Sequence, residues 1–67
     1  MPVARVSEIS ATSKKGFEDA IQQGLTRANK TLRNVRGAWV KEQRVWCNNG
    51  KISEYQVNLM VTFVLDD

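Results

Sequence analysis

The strongest constraint in these 67 residues is a long β-hairpin written into the second half of the chain. Asn48-Asn49-Gly50-Lys51 holds an Asn-Gly pair, which favours a two-residue type I′ turn because both central residues must take positive φ. Beyond it Tyr55, Val57, Leu59, Val61, Phe63 and Leu65 recur at every second position, the period that marks one face of a strand as core. Two strands follow, Val35 to Cys47 and Ile52 to Leu65. With Asn49-Gly50 as the loop, one-for-one pairing sets Trp39 opposite Met60, Gly37 opposite Thr62 and Gln43 opposite Gln56. On that register Ala38, Val40, Glu42, Arg44 and Trp46 join the core face. Val35, Gly37, Trp39, Gln43, Val45 and Gln56 fall on the outer one. A bulge would turn part of this pairing over.

The first half supplies one more strand and one helix. Val3 to Ser10 is rich in β-branched residues and reads as a strand, and Ala11-Thr12-Ser13 as a turn with Ser13 as N-cap. From Lys14 to Leu32 the period lengthens: Phe17, Ile21, Leu25, Ala28 and Leu32 form one apolar stripe, with Ala20 and Gly24 beside it. Gly24 costs about 1 kcal/mol against alanine in a helix, so close approach to the sheet is its expected compensation. A right-handed crossover makes the first two strands parallel, and the third returns between them. The expectation is one α+β domain over 1–67: a β-α-β-β protomer whose antiparallel sheet, in the order 1-3-2, packs on one helix. Nothing in the chain is left to cover the outer face around Trp39 and Met60, so that face reads as an interface.

Size sharpens this expectation. A chain this short buries about 60% of the surface its unfolded form exposes, and usually needs disulfides, metal or partner subunits. Cys47 is the single cysteine and there is no histidine. Internal disulfides and the usual zinc ligand sets are therefore out, and self-association is the expected support. The lone thiol and the lack of an apolar run long enough for a leader or a membrane span read as a cytoplasmic protein with no membrane partner. The net charge of +3 is spread along the helix and its flanks. Without a concentrated basic stripe and interleaved aromatics, it reads as a solvated face rather than a nucleic-acid surface. Dispersed carboxylates and the absence of any nucleophile–base pair argue against an enzyme.

The same residues carry a resemblance. Val6-x-Glu8-Ile9-x-Ala11-Thr12-Ser13 is followed by Gly16-Phe17-x-x-Ala20-Ile21-x-x-Gly24-Leu25-x-Arg27-Ala28. Lys30-Thr31-Leu32-Arg33-Asn34-Val35, Val40-Lys41-Glu42-x-Arg44 and Glu54-Tyr55-Gln56-Val57-x-Leu59-x-Val61-x-Phe63-x-Leu65 then complete a pattern over nearly the whole chain. In order and spacing it resembles the dodecins, small flavin-binding proteins that assemble twelve β-α-β-β subunits into a hollow sphere. The resemblance implies a homo-oligomer, a 12-mer, that binds and sequesters a small ligand, with a flavin of the riboflavin or FMN class first. It also implies site residues. Gln56 matches the glutamine that meets the polar edge of the isoalloxazine ring, and Arg44 the arginine after Val-Lys-Glu. Gly37 stands where flavin-binding members place their stacking tryptophan, and the nearest indole, Trp39, lies two residues on, about 6 to 7 Å along the strand. Some dodecin-like proteins without that tryptophan are associated with calcium, so a calcium-binding shell is the alternative. Glu8, Glu42, Glu54, Asp66 and Asp67 show no calcium-loop spacing.

Each residue also has a plainer reading. Trp39 serves equally as a ring-stacking platform or as a buried interface anchor. Trp46 reads as packing near the turn, and Cys47 as inert packing. Glu42 and Arg44, two apart on the expected core face, read as an intersubunit ion-pair network in preference to ligand contacts.

Overall fold

The computed structural model describes residues 3–65. Strand β1 (Ala4–Ser13) leads into helix α1 (Phe17–Thr31), and β2 (Val35–Asn48) and β3 (Lys51–Val64) form the hairpin. The sheet is antiparallel in the order β1-β3-β2, with β3 in the centre as its apolar sequence requires. Asn49 and Gly50 close the hairpin with φ of 53° and 77°, the left-handed pair of a type I′ turn. The outermost residues of the 1–67 span lie outside the described residues.

The core is the contact between one helix and one strand. Val57, Leu59 and Val61 of β3 are fully buried, and Ala20 and Ala28 of α1 close over them with Ile9, Ala11, Ile21 and Leu25 at the margin. Gly24 makes the approach close. A Cβ there would stand 3.1 Å from Leu59 Cδ1 and 3.2 Å from Ala11 Cβ. At the helix start, Phe17 meets Tyr55 edge-to-face at 5.1 Å between ring centroids.

The junction between β1 and α1 differs from the expectation of a cap at Ser13. β1 continues three residues past Ser10, because Ala11, Thr12 and Ser13 go on pairing with Val57, Gln56 and Tyr55. The helix therefore begins at Phe17, and Gly16 rather than Ser13 precedes it. Ser13 is buried and still ties strand to helix: its hydroxyl accepts the Lys15 N–H at 2.9 Å and donates to Asp19 Oδ2 at 2.6 Å. That bond, with another from the Gln23 amide and the nearby Lys15 charge, holds the Asp19 carboxyl below its usual value against a smaller opposing effect of desolvation.

The hairpin register is the larger correction. Gly37 to Val40 pair as expected, opposite Thr62 to Leu59. The ladder then slips between Val40 and Glu42, leaving Lys41 as an extra residue, and slips back between Trp46 and Cys47 opposite the extra Ser53. Between the two bulges every residue of β2 is turned over relative to one-for-one pairing. Gln43 and Val45 oppose Val57 and Tyr55 on the helix side, whereas Glu42, Arg44 and Trp46 oppose Asn58, Gln56 and Glu54 on the outer side. A third slip, at Arg36, puts Val35 opposite Phe63 and against the core rather than on the outer face.

β2 is left without cover. Every residue of it after Val35 is exposed, on both faces, because α1 sits over β1 and β3. The surface of 5115 Å² exceeds the value of about 4,300 Å² usual for a monomer of this mass. The radius of gyration, 13.7 Å, is also larger than the roughly 11 Å of a compact chain of this length.

Two outcomes test the helix–sheet seam. Gly24→Val should lower the urea midpoint, with a loss of about 1 to 3 kcal/mol, since its methyls have no room against Leu59 and Ala11; an unchanged midpoint would contradict the seam. Asp19, with its folded pKa lowered, stabilises the fold fully above the unfolded carboxyl value and loses that contribution as pH falls through the lowered one. The stability gap between wild type and Asp19→Asn should therefore close on acidification below about pH 4. A gap that persists at lower pH would show that the carboxylate's charge is not what matters.

Candidate functional site

The bulge at Lys41 gathers polar residues that straight pairing would scatter. Arg44 and Gln56 become direct neighbours across the ladder, with Thr12 of β1 on Gln56's other side. The Trp46 indole N–H donates to Gln56 Oε1 at 2.8 Å, and the Arg44 guanidinium lies 4.3 Å over the Trp46 ring, within cation–π range. Gln56 Nε2 donates to Ser10 Oγ at 2.9 Å and to Asn58 Oδ1 at 3.3 Å. Asn58 Nδ2 in turn donates to Glu42 Oε1 at 3.3 Å. Glu42, Gln43, Arg44, Gln56 and Asn58 line a hollow of about 180 Å³. Such a hollow admits the edge of a planar ligand and not the whole of one, since sites for small molecules usually run to about 300 to 1,000 Å³.

Arg44 and Trp46, expected on the core side, thus stand on the outer face beside Gln56. Within one chain Glu42 meets Asn58 and Arg44 meets Trp46, and both charged groups stand on the outer face, where the intersubunit ion-pair network expected of them would have to form. Trp46 is the residue of this cluster that sequence reasoning left out of the site, and its only signal was an aromatic two positions beyond Arg44, whose face depends on a bulge.

The other two site residues lie further along the same face. Trp39 opposes Met60 and is 53% exposed. Met60 is four positions from Gln56 along β3, about 13 Å of strand. Gly37, opposite Thr62, is about 20 Å from Gln56 by the same measure, and a Cβ there would meet nothing within 4 Å. One chain therefore joins Gln56, Arg44 and Trp46 but does not join Gly37 or Trp39 to them. Between the two groups Lys41 Nζ reaches across the sheet to Glu8 Oε1 at 3.2 Å, an exposed pair that contributes little to stability. No helix among the described residues is long and apolar enough to cross a membrane.

These features define a building block, a small α+β subunit whose sheet carries a cluster of polar and aromatic groups on the face its own helix leaves bare. The dodecin family model matches residues 3–66, and the chain belongs to the dodecin family. It is 45% identical to a dodecin of Thermus thermophilus over 60 residues, 90% of this chain and 87% of that one. The structure of dodecin from Streptomyces coelicolor superposes with a TM-score of 0.93 at 32% identity, covering 98% of this chain and 94% of the other. A calcium-chelating antigen of Mycobacterium tuberculosis, calcium dodecin, matches at the same 32% identity with a TM-score of 0.81, over 96% and 91% of the two chains. At equal identity the backbone is thus nearer to the Streptomyces protein. Dodecins are small oligomeric binding proteins.

The half-buried Met60, flanked by Trp39 and Glu8 across the sheet, marks the middle of the uncovered face. Met60→Lys should lower the mass of the particle seen by light scattering while circular dichroism still shows the helix. An unaltered mass would remove this face from the assembly contacts.

Proposed function

We propose that the chain forms a non-enzymatic, cytoplasmic shell of twelve subunits that binds and sequesters a flavin of the riboflavin or FMN class. The observation that carries this reading is the cluster of an amide, a guanidinium and an indole, Gln56, Arg44 and Trp46, around a shallow hollow on a sheet face open to neighbours. A flavin has matching parts: a polar pyrimidine edge for the amide, a flat ring for aromatic surfaces, and in FMN a phosphate for a guanidinium. Because Trp39 lies about 13 Å from Gln56 along its own chain, stacking on Trp39 and hydrogen bonding to Gln56 at one ring come from different subunits. Assembly is then a condition of binding.

The calcium alternative has less behind it. Among the described residues, His, Cys, Asp and Glu side chains nowhere gather in groups of three or more that could hold a metal ion. The looser backbone match to calcium dodecin points the same way. Asp66 and Asp67, which entered that alternative, lie outside the described residues.

Riboflavin titration, followed by quenching of its fluorescence, tests the proposal. Gln56→Ala should weaken binding by about 5- to 150-fold, the cost of leaving a polar ring edge unpaired. Trp39→Ala should weaken it through lost stacking, and Gly37→Trp in that background should recover affinity, since the space over Gly37 is open. Equal quenching by wild type and Gln56→Ala would place the flavin elsewhere. Calcium-dependent stabilisation without flavin binding would favour the alternative.

A further inference from the structure

The hydrogen bonds on the outer face run in one direction. Trp46 gives its indole N–H to Gln56 Oε1, Gln56 gives an amide N–H to Asn58 Oδ1, and Asn58 gives one to Glu42 Oε1. The two ends of this chain have a single polarity each: an indole only donates, and an ionised carboxylate only accepts. The amides between them are ambivalent, since either can turn over and exchange its oxygen for its nitrogen. With a pure donor at one end and a pure acceptor at the other, only one orientation of Gln56 and of Asn58 satisfies every link. Ser10 Oγ takes the second N–H of Gln56 from β1; as a hydroxyl that can also donate, it follows this orientation rather than setting it.

We infer that Trp46 and Glu42 are positioning residues that lock the Gln56–Asn58 amide pair in one polarity, and that this lock makes the face selective for a ligand edge carrying a carbonyl next to an N–H. The inference rests on the flavin reading and specifies the part of the ring that is recognised. Both N–H groups of Gln56 and the indole N–H are engaged inside the chain. What the pair still offers is a second lone pair on Gln56 Oε1 and the second N–H of Asn58, with Glu42 behind it at the hollow. An acceptor beside a donor is the complement of the imide edge of a flavin, –C(=O)–NH–, and a poor match for a ligand offering acceptors alone.

Trp46 lies beyond the residues that the family resemblance brings to the site. Its place there depends on the Lys41 bulge, which sets Trp46 opposite Glu54 and Arg44 opposite Gln56. The Arg44 guanidinium over the ring restrains the indole in the plane that reaches Gln56. An indole on the helix side of β2 would leave the Gln56 carbonyl to solvent and the amide free to turn.

The test compares riboflavin with its analogue methylated at the imide nitrogen, which keeps the ring and both carbonyls but has no N–H. Assembled wild-type protein should bind riboflavin more tightly by on the order of ten-fold, the effect of one unmade hydrogen bond in a partly desolvated site. Trp46→Phe keeps an aromatic ring under Arg44 and removes only the donor. It should shrink that ratio towards one, with light scattering showing the particle intact. Glu42→Gln, which replaces the pure acceptor with an ambivalent amide, should shrink it too. A ratio in both variants equal to that of wild type would overturn the lock while leaving flavin binding in place. A wild type that binds neither compound would overturn the flavin reading and the lock together, so the two failures are distinct.

Discussion

One helix has to cover a sheet that is too large for it. The 15 residues of α1 reach about 22 Å, whereas each 14-residue strand of the hairpin runs about 46 Å. The available cover goes to β1 and β3, where Gly24 lets the helix backbone settle against Leu59 and where Val57, Leu59 and Val61 vanish from solvent. β2 receives almost none of it. Trp39 and Trp46 on one side, and Val40 and Val45 on the other, keep between 37% and 53% of their surface exposed. At about 25 cal/mol per Å² of apolar surface, burying these side chains between subunits is a larger reserve of stabilisation than any further contact within the chain. The protomer is thus built to be completed by copies of itself, and the face that carries Gln56, Arg44 and Trp46 is open because the helix leaves it bare.

Most of that plan is legible in the residues. Asn49-Gly50 fixed the turn, the odd-numbered apolar run of β3 fixed the core face, and the strand-helix-strand order placed β3 in the middle. Gly24 on an apolar helix stripe was a sound sign of close packing, because a glycine there is unfavourable unless a neighbour needs the space. The end of β1 was harder to see. Ala11, Thr12 and Ser13 suit a turn by composition, and pairing with β3 outweighed that local preference.

The candidate site was half legible for a specific reason. Gln56 belongs to β3, whose period is unbroken from Tyr55 to Phe63, so its face followed directly. Trp46, Arg44 and Glu42 belong to β2, where one extra residue reverses the face of everything that follows until the next bulge. Lys41 gives no sign of being that residue, since a lysine suits an exposed strand position as well as a bulge. The polarity of Val45 and Gln43 was no guide either. With neither face of β2 covered within one chain, burial does not select between the two registers, and the observed register gains the hydrogen bonds from Trp46 diagonally to Gln56 and from Asn58 to Glu42 directly opposite. A misplaced register in such a strand moves a whole set of side chains at once, which is why the five residues from Glu42 to Trp46 were misassigned together.

The dependence of the fold on partner copies is the claim from which the rest follows, and sedimentation equilibrium at micromolar concentration addresses it most directly. The expected result is a particle near twelve times the 7.6 kDa chain mass, with no folded monomer left on dilution until the secondary structure is also lost. A species of 7.6 kDa that keeps its helix and its hairpin would contradict it.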